Sequence, residues 1–183
     1  MRPAIPQDAE HLARLANMAG EGLPLYFWAG FATPNEDPWQ IGFKRAQRDE
    51  GSFSYKNALI AGINGEVAAM MVAYLVPDES QALDDVPAII RPLAELENEA
   101  LGTFYVNILA TYPAFRRMGV GTRLLEHARG QAGAVAMSII VSDGNHAAMR
   151  LYQHFGYNER ARRPIAKIGG WSCEGDDWVL LIR

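Results

Sequence analysis

The spacing of apolar positions changes several times along the chain, and each change marks an element boundary. Over residues 5–20 a short lead gives way to Leu12, Leu15, Ala16 and Ala19 at three- and four-residue steps. That is one face of a helix, with Asp8 where an N-cap belongs. The stretch "GLPLYFWAGFATPNEDPW" is dense in Gly, Pro and aromatics and reads as loop and a short helix, with a further helix near residues 40–49. In "NALIAGINGEVAAMMVAYLV" two apolar runs flank Asn64-Gly65. This dipeptide accepts the positive φ of a tight turn, so the stretch predicts a hairpin. Residues 77–102 break the pattern: they are rich in Pro, Asp and Glu, with Arg91 the only base.

Beyond this insertion the pattern alternates. "TFYVNILATY" predicts a strand, "GVGTRLLEHARGQ" a helix, "AVAMSIIVS" a strand, "NHAAMRLYQHFG" a helix and "DDWVLLIR" a final strand. Strands alternating with helices imply partly parallel pairing, and the earlier hairpin makes the sheet mixed. The length of 183 residues suits a single domain, and 49% apolar residues are enough for a real core.

A formal charge of −4 argues against general nucleic-acid binding, which needs a basic face. Cys173 is the only cysteine, so neither an internal disulfide nor a cysteine-based metal cluster is expected. The opening "MRPAIPQDAEHL" lacks the apolar run of a secretory signal, and "EVAAMMVAYLV" is too short to span a bilayer as a helix. The expectation is a cytoplasmic protein with no metal, no membrane and no nucleic acid as partner. Oligomeric state is open, a homodimer being one option.

The richest chemistry lies at Arg116-Arg117-Met118-Gly119-Val120-Gly121, between a strand and a helix. First-turn N–H groups lack intrahelical partners, and the helix dipole adds positive charge there. Glycines let the backbone approach a ligand, and arginines add charge and forked donors. Together these suit a phosphate. An ordinary helix start with solvated arginines explains the same residues. The dinucleotide fingerprint is excluded because Leu124 occupies the place of its third glycine, and a P-loop lacks its Gly-Lys-Ser/Thr.

"ILATYPAFRRMGVGTRLL" resembles the acetyl-CoA signature of the GNAT superfamily of N-acetyltransferases, and "NHAAMRLYQHFGY" resembles that family's later motif. The resemblance covers about the last two-thirds of the chain and implies a GNAT-like α/β fold. Its mixed, mostly antiparallel central sheet would be flanked by helices, with a splayed parallel strand pair holding the cofactor. It implies one acetyltransferase domain over residues 1–183: acceptor-side helices and loops in 1–55, then hairpin, acidic insertion and acetyl-CoA-binding core in 56–183. Arg116, Arg117, Met118, Gly119, Val120, Gly121 and Thr122 would cradle the pyrophosphate. The backbone of Leu109, Ala110 and Thr111 would meet the pantetheine arm, as would Asn145.

The implied reaction is acetyl transfer from the thioester of acetyl-CoA to an amine by direct attack. Tyr152 is the general-acid candidate. Tyr105 and Asn107 could hold a water that relays a proton to a base. The base is open: Glu97, Glu99 and Glu21 are carboxylate candidates, each equally explained as solvated loop charge. His127, His146 and His154 read as surface or packing residues. The acidic insertion could attract a cationic amine. Tyr26, Phe27, Trp28, Phe31 and Trp39 suit either an acceptor pocket or core packing. A small or amino-acid-like amine is the first expectation for the acceptor, a protein N-terminus or lysine the second. A non-catalytic acetyl-CoA sensor and a different phosphate-binding α/β protein are the other readings.

Overall fold

The computed structural model describes residues 1–183. In chain order the elements are β1 (Arg2–Pro3), α1 (Ala9–Ala19), α2 (Leu23–Phe31), α3 (Pro38–Ala46), β2 (Ala58–Ile63), β3 (Glu66–Leu75), α4 (Arg91–Asn98), β4 (Phe104–Thr111), α5 (Val120–Ala132), β5 (Met137–Ser142), α6 (His146–His154), β6 (Asn158–Pro164) and β7 (Asp177–Ile182). The strands form one seven-stranded sheet in the order β1-β2-β3-β4-β5-β7-β6. Pairs β1–β2, β2–β3, β5–β7 and β6–β7 are antiparallel. The pair β4–β5 is parallel, with Phe104 opposite Met137 and Tyr105 opposite Ser138. The sheet is therefore mixed and mostly antiparallel. No helix is long and apolar enough to cross a membrane.

The contacts gather into two compact units, residues 1–73 with 107–128, and residues 74–106 with 129–183. In the first unit the hairpin turns where expected, with φ +51° at Asn64 and +84° at Gly65. Helix α1 buries Ala9, Leu12, Ala13, Leu15 and Ala16, so three of the four positions read from the spacing are buried, while Ala19, in the last turn, is only half-buried. Asp8 holds the N-cap position but does not cap the helix. Its carboxylate turns back and accepts two Arg2 guanidinium hydrogen bonds, both at 2.7 Å, and the Ile5 N–H at 2.9 Å. A two-residue edge strand has too few ladder bonds to hold itself, and this forked pair ties it to the start of α1.

Helix α3 starts at Pro38, earlier than the apolar spacing alone suggests, because the Asp37 side chain accepts the Trp39 N–H at 3.0 Å. Gly42 lets α3 pass close under Trp28, since a Cβ there would lie 2.5 Å from the indole ring. Trp28 is buried, 5.9 Å from Trp39 and 6.1 Å from Phe53 between ring centroids. Four of the five aromatics thus pack in two pairs, Trp28 with Trp39 and Tyr26 with Phe27, while Phe31 is exposed.

The second unit contains two elements that the sequence pattern does not announce. Helix α4 lies inside the acidic insertion and packs against β6 and β7. Arg163 fastens it by pairing with Glu95 at 2.8 Å and Glu99 at 2.5 Å. Strand β6, "NERARRP", has no apolar alternation because it is the edge of the sheet and is mostly exposed. Its partner β7 buries Val179, Leu180 and Leu181 almost completely, as its continuous apolar run implies.

Arg2 holds the Asp8 carboxyl below the usual carboxylate range, opposed by burial and helped by the Ile5 N–H. A depressed carboxyl stabilises the fold above the usual carboxylate range and loses that contribution as pH falls through its folded value. Asp8→Asn should therefore cost about 1–2 kcal/mol at neutral pH, discounted because Arg2 is half-exposed. In urea denaturation the gap between variant and parent should close as pH falls below the carboxylate range. A gap that stays constant with pH would rule out the ion pair as its source.

Candidate active site

Strand β4 ends at Thr111, and residues Pro113–Phe115 form a single 3-10 turn. Arg116 is extended, Arg117 takes φ +63°, and Gly119 takes φ +76°. The Arg123 N–H donates to the Gly119 carbonyl at 3.1 Å, so the helix begins on a glycine. A glycine at the cap offers no side-chain oxygen to the first-turn N–H groups of Val120, Gly121 and Thr122.

A left-handed backbone costs a non-glycine residue about 1–2 kcal/mol, so Arg117 is held there by its surroundings. The anchor is the buried face of α5, where Leu124, Leu125 and Ala128 are fully inaccessible and Val120 nearly so. The opposite side of the turn is open. Arg116, Arg117, Met118 and Gly119 are exposed, and a Cβ built on Gly119 meets no heavy atom within 4 Å. Arg116 is steadied by its Nε donating to the Thr111 carbonyl at 3.3 Å, and an Nη lies 3.6 Å from Met18 Sδ.

Upstream in the same unit, Asn107, Leu109 and Thr111 are half-buried and Ala110 is buried. The Tyr112 N–H donates to the Ala68 carbonyl at 2.9 Å, and the Tyr112 hydroxyl meets His11 Nδ1 at 3.0 Å. The His11 contact joins positions 101 residues apart, and no local pattern announces it.

In the second unit, Asn145 caps α6, its Oδ1 accepting the Ala148 N–H at 3.1 Å. The cap engages the carboxamide oxygen and leaves its N–H2 as the donor that a ligand would meet. Tyr152 is buried, edge-on to Tyr157 at 5.9 Å, and burial raises its hydroxyl far above an ordinary phenol. Tyr105 is buried and edge-on to Tyr74 at 5.7 Å. Its hydroxyl donates to the Glu97 carboxylate, and Tyr152 lies within electrostatic reach of it.

Of the carboxylate candidates, Glu97 meets Tyr105. Burial raises its carboxyl above the usual range, against the hydrogen bonds from Gln81 and Tyr105. Glu99 is paired with Arg163, and Glu21 lies at φ +53° between α1 and α2. His146 and His154 are exposed, and His127 is half-buried.

The acetyltransferase (GNAT) family model matches residues 25–157. No curated protein sequence matches the chain. Among solved structures, an N-acetyltransferase from Staphylococcus aureus Mu50 aligns with a TM-score of 0.68 at 18% identity, over 100% of this chain and 98% of that one. A structure described as an acetyltransferase gives 0.66 at 18% identity, over 100% and 97%. Ard1 from Thermoplasma volcanium gives 0.57 at 15% identity, over 100% and 94%. At such identities the structural likeness is one of fold. The family match is one of sequence, and it takes in β4, the arginine-glycine turn and α6. On that match the chain belongs to the acetyltransferase (GNAT) family and is an acyltransferase.

Proposed function

We propose that the protein transfers the acetyl group of acetyl-CoA to a primary amine, and that the acceptor is a small or amino-acid-like molecule. The observation that carries the cofactor reading is the turn before α5. A strained arginine and a left-handed glycine open a helix start whose Cβ space is empty. A pyrophosphate fits these features: it needs several N–H donors, fixed positive charge and close backbone approach.

Arg116, Arg117, Met118, Gly119, Val120, Gly121 and Thr122 would hold the pyrophosphate. The main chain of Leu109, Ala110 and Thr111, and the Asn145 amide N–H2, would hold the pantetheine arm. When bound, acetyl-CoA supplies the activated acetyl carbonyl. The chain supplies the rest. A backbone N–H at Leu109 or Ala110 holds the oxygen as negative charge gathers on it. Tyr105 and Asn107 hold a water that relays the proton leaving the amine, and Tyr152 gives its hydroxyl proton to the leaving sulfur. Burial raises the Tyr152 hydroxyl. A thiolate in the same poorly solvated surroundings is raised as well, which keeps the transfer feasible.

Residues 1–183 would act as one acetyltransferase domain with residues 1–55 on the acceptor side. The half-buried Tyr26 and Phe27 of α2, whose rings meet edge-on at 6.0 Å, support a small acceptor with an apolar part.

The first test is thermal unfolding with acetyl-CoA, CoA, ATP and NAD added separately. A ligand specific to the folded state adds about 2.7 kcal/mol at one hundred times its dissociation constant. Stabilisation by acetyl-CoA and CoA alone is expected, and its absence at millimolar concentration would remove the cofactor reading. An amine panel that includes free peptide N-termini follows. Small amines should turn over, while turnover of peptides alone would replace the acceptor class. CoA binding with no turnover would mark a sensor.

Two glycines allow a controlled substitution. Gly119 and Gly65 share a left-handed backbone, φ +76° and +84°, and equally open Cβ space. Gly119→Ala and Gly65→Ala should lose similar stability, about 1 kcal/mol each. Only Gly119→Ala should weaken CoA binding, by about tenfold or more. Equal affinities in the two variants would reduce the turn to an ordinary helix start. Tyr152→Phe should lower kcat about 10²-fold while leaving CoA affinity intact. Full turnover, with chemistry rate-limiting, would reject it as the acid.

A further inference from the structure

We propose that the proton leaving the amine ends on Glu97, reached through the buried hydroxyl of Tyr105. This inference rests on the acetyl-transfer reading above and supplies the base that reading leaves unnamed. All the groups involved belong to the second unit.

Three observations carry it. First, the Tyr105 hydroxyl donates to the Glu97 carboxylate across the gap between β4 and α4. The Tyr105 ring is 4% exposed and closed in by Tyr74. Second, Glu97 is oriented. Gln81 Nε2 donates to Glu97 Oε2 at 3.4 Å. Gln81 is itself clamped to the end of α4, its N–H bonding Asn98 Oδ1 at 2.9 Å and its carbonyl accepting Asn98 Nδ2 at 3.0 Å. Third, α4 sorts its carboxylates. Arg163 takes Glu95 and Glu99 and leaves Glu97 turned to the tyrosine.

The physics of a buried phenol does the rest. Burial holds Tyr105 neutral, so it can store neither a lost proton nor a gained one. It can take a proton only by handing on its own, and that requires an acceptor on the far side of its oxygen. Glu97 stands there. Half-buried and away from the Arg163 pairs, its carboxyl lies above the usual carboxylate range, which makes it a better acceptor near neutrality than a solvated glutamate.

The atoms balance as follows. The amine nitrogen forms a bond to the acetyl carbon. One N–H proton passes to the water held by Tyr105 and Asn107, a proton of that water passes to the Tyr105 oxygen, and the Tyr105 O–H proton passes to a Glu97 oxygen. The carbon–sulfur bond breaks with its electron pair going to sulfur, and sulfur takes the Tyr152 proton. Loss of the Glu97 proton and regain of one by Tyr152 reset the site. Glu97 acts through Tyr105 and does not touch substrate, so it is a positioning residue.

Tyr105 on β4 and Gln81 meet Glu97, and Tyr74 on β3 and Tyr152 on α6 lie within electrostatic reach of Tyr105. The helix of Glu97 also carries Glu95 and Glu99. Arg163 on β6 faces those two, and Asp177 on β7 is tied to Arg162 at 3.1 Å. The limb that belongs to Glu97 is the one its variants change.

The test compares the whole protein with Glu97→Gln and Glu97→Asp by three readouts. The first needs no ligand. A carboxyl raised by folding stabilises the protein below the usual carboxylate range and loses that contribution as pH rises through its folded value. Stability of the parent relative to Glu97→Gln should therefore fall across that window and then level off. The second is the rate: Glu97→Gln should lower kcat about 10²-fold with KM for acetyl-CoA nearly unchanged. The third is the pH profile of kcat/KM, whose acidic limb should vanish in Glu97→Gln and return in Glu97→Asp.

A Glu97→Gln variant within twofold of the parent rate, or one slower with the same acidic limb, overturns the relay and leaves Glu97 a structural strap. Stabilisation by CoA, measured on the same variants, separates the two readings. If CoA stabilises parent and variant alike, the cofactor site stands whatever becomes of the relay. If it stabilises neither, the acetyl-transfer reading fails first.

Discussion

Helix α5 starts on a glycine after a left-handed arginine, and the chemistry proposed for the chain depends on that constraint. Such a start is poor for an isolated helix, since the cap brings no oxygen and Arg117 pays for its backbone angle. It persists because the far side of α5 is buried at Val120, Leu124, Leu125 and Ala128. Apolar burial fixes the helix, and the fixed helix presents first-turn N–H groups that no cap side chain covers beside two exposed arginines. The features that make the turn costly without a ligand are those that would favour an anion.

The second unit uses burial differently. Tyr105 and Tyr152 are both withdrawn from water, and each is held protonated by that withdrawal. Two phenols that cannot ionise easily are suited to passing protons rather than storing charge. The charge is instead given to Glu97, kept at partial burial and excluded from the ion pairs that Arg163 makes with its helix neighbours. One arginine on an edge strand thereby takes both carboxylate neighbours of Glu97 and leaves burial to raise the carboxyl it does not bind.

The units also differ in how readily their elements are read from the chain. The hairpin, β4, α5, β5, α6 and β7 follow from period and turn chemistry, because each buries a regular set of side chains and is closed by residues suited to turns. Helix α4 and strand β6 do not. In α4 only Ala94 and Leu96 are buried, and its stability comes from Arg163, 64 to 68 residues away. In β6 the side chains face solvent, so the backbone ladder to β7 defines the strand and leaves no apolar trace. Asp8 shows the same limit at one residue: its position as a cap is readable, but its partner is Arg2.

The sequence by itself determined the class of fold and the place of the arginine-glycine turn. Arg116 to Gly121 is contiguous, and its chemistry is that of backbone and charge at one helix end. It likewise set Asn145 and Tyr152 on one short helix. Only the tertiary structure decided that Glu97, rather than Glu99 or Glu21, meets Tyr105, and that Tyr112 meets His11. Those pairings join residues from separate elements. They depend on side-chain direction and on which competing cation takes which carboxylate, and no local periodicity encodes either.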